Sequence, residues 1–233
     1  MNILYFDTTQ DWIHVLVAEA NDNFELNIKS KIIESSPKEA SYRLVELIQT
    51  TLMQANVIKP DRIFVPHGPG SFTGIRITVT TARDLAQLWD IPVIGFDSAL
   101  LYLVGMEGNN HYFQNTKLNQ KFNPKTLICL DGKQGKFYTK YYNGNTFSET
   151  EDQKPDQIKQ LIEKGEITPN KWYYTGNLPE FYPEGVIKIE ATNLNLSSIM
   201  KYSLEQTKQI ELKDYNYLSL LPNYIRGTYV DLK

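Results

Sequence analysis

The stretch His67–Arg76 reads HGPGSFTGIR, and it separates two segments with different hydrophobic periods. The preceding run, residues 62–66, is short and apolar, which is typical of a buried strand. In the following segment, residues 73–89, apolar positions recur every three or four residues, which is typical of a helix. The glycine loop therefore predicts a strand–loop–helix unit of an α/β protein.

The glycine loop has the chemistry of an anion site. Gly68 and Gly70 permit a tight turn, and Ser71 or Thr73 can cap the helix that follows. The N–H groups and the dipole at a helix N-terminus attract phosphate or carboxylate, and Arg76 lies one turn further in. A tight turn without a ligand explains the same residues, because the loop lacks both the Walker lysine and the third glycine of a dinucleotide loop.

The remaining periodicity predicts two lobes. Residues 1–106 give the order β-β-β-α-β-α-β-α, which is one half of an actin-like ATPase fold. The predicted strands are residues 2–6, 12–18, 24–33, 62–66 and 92–96, and the predicted helices are residues 37–56, 73–89 and 98–106. Residues 107–233 give a less typical lobe, with a connection at 107–125, strands at 126–131, 136–142, 171–175 and 186–189, and helices at 155–164 and 196–209. We therefore expect an actin-like (ribonuclease H-like) fold with two similar lobes, each a mixed sheet flanked by helices.

Two predicted helices have distinct patterns. The first has Ser36 as a candidate N-cap and Pro37 at its first position. Its recurring apolar residues include Ala40, Leu44, Leu47 and Ile48. The second carries a stripe of small side chains, formed by Gly74, Thr78, Ala82 and, half a turn round, Thr81. Small side chains let another helix approach closely, so we expect a helix–helix interface here, with packing against the protein's own sheet as the alternative.

Two acidic turns follow predicted strands. Asp7, Thr8 and Thr9 end the first strand, and Asp131 and Gly132 end the strand at 126–131. They resemble the two phosphate-binding turns of actin-like ATPases, each of which presents a carboxylate towards a metal–nucleotide. Asp and Gly are also common in ordinary turns, so a purely structural role is the alternative.

Composition excludes several classes of protein. The net charge of −3 and the absence of long runs of like charge argue against a stand-alone nucleic-acid binder. The three histidines lie far apart in sequence, and the single cysteine, Cys129, sits in an apolar run, so we expect no metal site and a buried thiol. No apolar stretch reaches the length of about 18 residues that crosses a membrane, so we expect a cytoplasmic protein.

Several motifs together resemble the TsaB family, also called YeaZ. They are GPGSFTGIRITV, TARDLA and IPVIGFDS within residues 68–98, ILYFDTT at the start, LDGKQGKFY in the second half and LPNYIR near the end. The match is strong over residues 1–100 and weak over 107–125 and 143–215. In two places the chain departs from the family pattern: Ala40 stands where the family's first long helix usually has histidine, and Thr78 replaces a glycine.

The resemblance implies a non-catalytic subunit needed to make N6-threonylcarbamoyladenosine in tRNA. Its implied partners are a TsaD-like paralogue, which holds the metal and transfers the threonylcarbamoyl group, and a TsaE-like ATPase. In isolation, the implied partner is a second copy of the chain. The resemblance also implies that tRNA is reached only through the complex, and that ATP or ADP with magnesium binds, if at all, at a complex interface. Under this hypothesis the interface residues are Ala40, Leu44, Leu47, Ile48, Gly74, Thr78, Thr81 and Ala82.

Two enzymatic hypotheses compete with the scaffold. An actin-like ATPase would use Asp7 and Asp131 around a magnesium–nucleotide. A glycoprotease-like peptidase, suggested by an old label of the wider family, would need an activated nucleophile, and Ser71 has no histidine at a spacing that supports this role.

Overall fold

The computed structural model of the protein contains two five-stranded sheets with helices on their faces. It describes residues 1–35, 40–108, 125–177, 185–208 and 214–225. Lobe I contains β1 (Asn2–Asp7), β2 (Ile13–Ala20), β3 (Leu26–Glu34), α1 (Ala40–Gln54), β4 (Arg62–Gly68), α2 (Phe72–Trp89), β5 (Val93–Asp97) and α3 (Ser98–Glu107). Lobe II contains β6 (Thr126–Asp131), β7 (Phe137–Tyr142), β8 (Glu151–Gln153), α4 (Pro155–Glu163), β9 (Lys171–Tyr174), β10 (Ile187–Lys188) and α5 (Leu196–Gln206).

The two sheets have the same topology. The strand order is β3-β2-β1-β4-β5 in lobe I, and it is β8-β7-β6-β9-β10 in lobe II when read in the same direction. In each lobe the first three strands along the chain pair antiparallel with their neighbours. The fourth and fifth strands run parallel to the first strand of the lobe. This repeat confirms the predicted actin-like fold of two similar lobes.

The predicted elements agree with the structure except at the edges of lobe II. Strand β8 was not predicted, because its sequence, Glu-Asp-Gln, has no apolar alternation and becomes a strand only by pairing with β7. The strand predicted at 186–189 shortens to β10, Ile187–Lys188. The cap predicted at Ser36 and Pro37, and most of the connection at 107–125, lie outside the described residues. The boundary between residues 106 and 107 stays a prediction.

Three groups of buried side chains form the core. One lies between the lobe I sheet and helices α1 and α2, and a smaller one lies between the lobe II sheet and α4. The third combines residues of both sheets with α3 and α5, so the two lobes share one continuous apolar core. Helix α3 is apolar almost all round, as expected for a helix buried on most sides.

The end of the described chain returns to lobe I as a segment that we call the C-terminal strap, residues 214–225. The N–H of Val93 in β5 donates to the Tyr215 carbonyl at 2.9 Å, and the N–H of Asn223 donates to the His67 carbonyl at 2.8 Å. Between these contacts Leu220 is buried in the core under α2. The strap thus fixes the chain end beside the glycine loop.

None of the helices in the described ranges is long and apolar enough to cross a membrane.

Candidate partner surface and inter-lobe cleft

Each glycine of the loop is approached closely by the backbone of another segment. A Cβ atom built on any of them would collide with a carbonyl oxygen, and the colliding pairs are Gly68 with Asn223, Gly70 with Thr9, and Gly74 with Thr8. Gly68 also has a φ of 121°, a conformation that favours glycine. The glycines therefore let the strap, the β1–β2 turn and α2 pack against one another.

The polar groups of the loop are engaged within the chain. The N–H of Ser71 donates to the Thr9 carbonyl at 2.8 Å, and the Ser71 hydroxyl accepts from the N–H of Gly74 at 3.4 Å, which caps α2. Gly68 donates its N–H to the Ser98 hydroxyl at 3.2 Å. Arg76 is exposed, and its guanidinium lies 5.4 Å from the centre of the Phe72 ring. Anion binding at the loop stays a prediction.

The stripe of small residues on α2 faces the protein's own β1–β2 turn. Thr8 donates its N–H to the Thr78 hydroxyl at 3.0 Å, and its own hydroxyl donates to the Gly74 carbonyl at 2.8 Å. Gly74, Thr78 and Ala82 are buried, and Thr81 is half-buried at the edge of the stripe. Close packing inside lobe I therefore accounts for the small side chains of Gly74, Thr78 and Ala82, and their part in a partner interface stays a prediction.

The predicted interface residues of α1 also face inwards. Four residues of α1 are buried between this helix and the lobe I sheet: Ala40, Leu44, Leu47 and Ile48. Their part in a partner interface stays a prediction. The outward face of α1 carries other apolar residues. Tyr42 is 82% exposed, Met53 is 81% exposed and Val45 is also exposed. Amphipathic spacing located the helix, but it could not show that its outer face also carries apolar residues.

The apolar outer face of lobe I continues on α2 and the strap. Of the ten exposed large hydrophobic side chains in the described chain, five lie on α1 and α2 and two lie on the strap. These seven are Tyr42, Val45, Met53, Phe72, Leu88, Leu218 and Leu221. Phe72 contacts Tyr224 of the strap with ring centres 5.0 Å apart. We call the exposed side of α1 and α2 the outer helix face.

Asp7 is fully buried, and four donors occupy its carboxylate. Oδ1 accepts from the N–H and the hydroxyl of Thr9, at 2.7 and 2.8 Å. Oδ2 accepts from Trp12 Nε1 at 3.1 Å and from the Tyr102 hydroxyl at 2.6 Å. The Thr9 and Tyr102 hydroxyls also lie 2.6 Å from each other, so these groups enclose both carboxylate oxygens. The buried carboxylate ties the β1–β2 turn to α3, and its role at a metal–nucleotide stays a prediction.

Asp131 is tied to a lysine that also reaches across the cleft. Its Oδ1 accepts from the N–H of Lys133 at 2.7 Å, and its Oδ2 accepts from Lys133 Nζ at 2.9 Å. The same Nζ lies 3.2 Å from Asp11 of lobe I. Partial burial lowers the pKa of Lys133, but Asp131 and Asp11 outweigh this effect and raise it overall. Gly132 donates its N–H to the Lys136 carbonyl at 2.9 Å, which closes the turn.

The two acidic turns face each other across a cleft, where Lys133 of lobe II contacts Asp11 of lobe I. The Thr175 hydroxyl of lobe II donates to Gln10 Oε1 of lobe I at 2.7 Å. Beside this contact is a cavity of about 400 Å³, lined by residues 10–12, 35, 175–177 and 188–192. Among the described residues, no group of three or more His, Cys, Asp or Glu side chains is close enough to hold a metal ion.

His14 is a buried contact between the lobes that sequence reasoning missed. Its Nε2 lies 2.8 Å from the Ala191 carbonyl of lobe II, and its ring stacks on Trp12 with centres 5.4 Å apart. In the described part of the molecule, its Nδ1 has no hydrogen-bond partner. Burial lowers the pKa of His14, although Asp7 and the Ala191 carbonyl favour the charged ring. A lone histidine in a strand gives no signal of such a contact.

The topology of the two lobes, with a cleft between facing acidic turns, defines an actin-like ATPase (ribonuclease H-like) fold. A protein-family model described as "TsaD: tRNA N6-adenosine threonylcarbamoyltransferase" matches residues 32–199. Two proteins named tRNA threonylcarbamoyladenosine biosynthesis protein TsaB are similar to the chain. That of Buchnera aphidicola subsp. Schizaphis graminum is 28% identical over 180 residues, covering 75% of this chain and 78% of the relative.

The second relative, from Bacillus subtilis, is 29% identical over 174 residues, covering 70% of this chain and 67% of the relative. Among solved structures, YeaZ from Pseudomonas aeruginosa has a TM-score of 0.64 and 16% identity, covering 96% of this chain and all of that one. The chain belongs to the family that the matching model describes, and its relatives place it among the TsaB (YeaZ) proteins.

Proposed function

We propose that this chain is a non-catalytic scaffold subunit in the synthesis of N6-threonylcarbamoyladenosine in tRNA, where it binds and activates a TsaD-like transferase. The relatives' name supports a role in this tRNA modification. The description of the matching family model points to the same chemistry. The finer assignment, binding and activation of the transferase, depends on the surface of lobe I.

The observation that carries the proposal is the group of exposed apolar residues on the outer helix face. Tyr42, Val45 and Met53 follow one side of α1, and Phe72 and Leu88 lie at the two ends of α2. Scattered exposed hydrophobic residues are ordinary, but a concentration on two adjacent helices is typical of a surface that docks a protein. Aromatic residues, methionine and arginine, which this face carries, are enriched at such interfaces.

The size of the face suits a specific complex. Helices α1 and α2 have 15 and 18 residues, so they extend about 22 and 27 Å at 1.5 Å per residue. Two such helices packed against two helices of a related partner would bury on the order of 1,600 Å² in total, the size of a standard specific interface. A paralogue with the same lobe I topology would present the matching pair.

Charged substitutions on α1 test the proposal. In the double variant Val45→Glu/Met53→Glu we expect binding to the genomic TsaD homologue to weaken at least tenfold, because two carboxylates would have to lose their water at the interface. Isothermal titration calorimetry measures the affinity. Ile187→Glu is the matched control, since it changes an exposed apolar residue of lobe II outside the outer helix face.

Threonylcarbamoyl transfer by the partner is the second readout. We expect the Val45→Glu/Met53→Glu variant to fail to stimulate transfer at concentrations where Ile187→Glu and the unaltered chain stimulate it fully. If the double variant binds and stimulates as the unaltered chain does, the outer helix face is not the docking surface.

We extend the proposal to the other components that the family resemblance implies. A TsaE-like ATPase would join the pair, tRNA would be reached only through the complex in the cytoplasm, and a second copy of this chain would occupy the outer helix face when the paralogue is absent. Size-exclusion chromatography with multi-angle light scattering, with and without each component, tests each of these assemblies.

Nucleotide binding is proposed for the interface of the complex, as ATP or ADP with magnesium, and not for the cleft of this chain. The support is that Asp7 is buried among donor groups of its own lobe and that Lys133 lies between Asp131 and Asp11. Calorimetry with ATP and magnesium, on the isolated chain and on the complex, separates the two sites. Hydrolysis by the isolated chain that is lost in Asp7→Asn would favour the ATPase hypothesis instead.

The peptidase hypothesis has little support from the geometry. The Ser71 hydroxyl caps α2 by accepting from Gly74, and His67 directs its Nδ1 towards the Leu221 carbonyl at 2.9 Å. Each of these groups thus has another partner.

A further inference from the structure

The turn between β6 and β7 has an uncommon backbone conformation. Three consecutive residues have positive φ, with values of 59° at Lys133, 56° at Gln134 and 72° at Gly135. This left-handed region suits glycine, and it is uncommon for residues such as lysine and glutamine. Glycine, asparagine or aspartate would fit position 133 with less strain. The lysine at this position therefore indicates that its side chain has a task.

The Lys133 side chain has a definite place at the cleft. The N–H of Lys133 donates to Asp131 Oδ1 at 2.7 Å, which holds the residue in the turn. Its Nζ donates to Asp131 Oδ2 at 2.9 Å, and it lies 3.2 and 3.3 Å from the two carboxylate oxygens of Asp11. One ammonium group therefore lies between a carboxylate of lobe II and a carboxylate of lobe I.

This contact differs from the other ion pairs that join the lobes. Within the described residues, Lys140 contacts Asp97 and Lys171 contacts Glu107, so each of these lysines has one carboxylate partner. Lys133 has two, one on each side of the cleft. Partial burial lowers the pKa of Lys133, but the two carboxylates raise it overall, so the ammonium is charged at neutral pH.

Without this ammonium, two carboxylates would face each other across the cleft. Both Asp11 and Asp131 lie within hydrogen-bond distance of the same nitrogen, so they are close enough to repel each other as like charges. Proteins neutralise such carboxylates with a basic side chain or with a metal ion. In this chain the basic side chain is part of the turn itself.

A neutral contact reinforces the same edge of the cleft. Asp131 donates its N–H to the Thr175 hydroxyl at 2.8 Å, and this hydroxyl donates to Gln10 Oε1 at 2.7 Å. Gln10 and Asp11 are neighbours in the β1–β2 turn, and both line the cavity of about 400 Å³. The ionic and the neutral contact therefore both connect the β1–β2 turn of lobe I to lobe II beside this cavity.

We propose that Lys133 is a built-in substitute for a bound cation, which neutralises Asp11 and Asp131 together and holds the cleft closed beside the cavity. The position of the two turns relative to each other is then a property of the chain and does not depend on a bound ligand. The inference is independent of the proposed partner binding, because none of these residues belongs to the outer helix face.

A variant without the ammonium tests this assignment. In Lys133→Asn the turn should persist, because asparagine tolerates the left-handed conformation, but the two carboxylates face each other without a cation. A calcium ion can then take the place of the ammonium and stabilise the folded state. At constant ionic strength, we expect calcium chloride at about 10 mM to raise the melting temperature of Lys133→Asn by about 2 °C or more. The unaltered chain should show no such rise.

Two control variants separate this effect from general binding of calcium. Lys136→Asn removes a lysine of the same turn, whose Nζ lies 2.9 Å from Asp152 within lobe II, so we expect no response to calcium. Lys133→Asn/Asp11→Asn keeps only one of the two facing carboxylates, so we expect the response to be lost. Lys133→Gly, in which the backbone conformation is favourable, is a second neutral variant with the same expected response as Lys133→Asn.

Amide hydrogen exchange measures the closure itself. Without calcium, we expect residues 8–12 and 131–136 of Lys133→Asn to exchange about fivefold faster or more than in the unaltered chain, and calcium should restore the slower exchange. The inference is overturned if neither neutral variant at position 133 responds to calcium, if Lys136→Asn or the unaltered chain responds equally, or if the double variant keeps the response.

Discussion

The two lobes share one strand order but differ in what covers them. In lobe I the sheet has strands of five to nine residues, and α1 and α2, of 15 and 18 residues, cover its outer side. In lobe II the edge strands have three and two residues, and the outer side carries α4, of nine residues. The exposed side of α4 is polar, with Asp156, Gln157, Lys159 and Gln160. The same topology therefore carries a group of exposed apolar residues on the outer helices of lobe I and a polar outer helix on lobe II.

The equivalent acidic turns differ in the same way. Asp7 in lobe I is buried and fully hydrogen-bonded, whereas Asp131 in lobe II is partly exposed beside Lys133. A carboxylate at the same place in the same topology thus serves as an internal tie in one lobe and as part of a surface ion pair in the other. Substitutions at three places test how the two lobes differ.

The largest effect is expected from Gly74→Leu. The new side chain would collide with the Thr8 carbonyl, so α2 or the β1–β2 turn would have to move. Overpacking of this kind costs about 3 kcal/mol of unfolding free energy. Urea denaturation measures it, and Gln87→Leu, which adds a similar side chain at an exposed position of α2, is the control. Unchanged stability in Gly74→Leu would mean that the stripe faces outwards, as the sequence first indicated.

A smaller effect is expected from replacing the equivalent carboxylates. Asp7→Asn removes the charge that four donors surround, and the amide also presents two donors towards them, so we expect a loss of about 2 kcal/mol. Asp131→Asn weakens a partly exposed ion pair, for which we expect about 0.5 kcal/mol. Thermal or urea unfolding of both variants compares them directly. Equal losses would show that the two turns are equivalent.

The smallest effect is a dependence on pH that comes from His14. Burial lowers the pKa of His14 in the folded state, so the unfolded chain takes up a proton first as the pH falls below about 6.5. The contribution of His14 to the free energy of unfolding is therefore at its maximum above that pH. Below it, this free energy decreases by up to about 1.4 kcal/mol per pH unit. The loss continues until the pH reaches the lowered folded-state pKa of His14.

Urea unfolding between pH 7.5 and 5.5 measures this dependence. We expect His14→Gln to have a flatter profile than the unaltered chain. Identical slopes in the unaltered chain and in His14→Gln would show that proton uptake at the lobe contact does not oppose folding.

Much of the fold could be predicted because period and turn chemistry are local properties. The change from alternating to helical spacing around the glycine loop located β4 and α2 correctly. Strand β8 could not be found, because three polar residues become a strand only when β7 supplies the hydrogen bonds. The strap contacts join residues far apart in sequence, such as Asn223 and His67, and no local pattern reports them.

The candidate site was less predictable than the fold. The sequence located α1 and α2 as the helices of interest, but it assigned their buried residues to the interface. Small side chains on one stripe are equally suited to a partner helix and to a close-packed turn, and only the position of Thr8 decides between them. The sequence did not identify Tyr42 and Met53 as interface residues, because single apolar residues outside the main stripe of a helix are common on protein surfaces.

By itself, the sequence determined that the chain is an α/β protein, that a glycine loop leads into α2, and that two acidic turns end the first strand of each lobe. These features depend on backbone conformation and on residue spacing, which neighbouring residues specify. Only the tertiary structure decided that the glycines of the loop accommodate Asn223, Thr9 and Thr8, that Asp7 is buried, and that the outer helix face carries exposed apolar residues. Each of these depends on segments brought together by packing, and packing is not encoded within any one stretch of the chain.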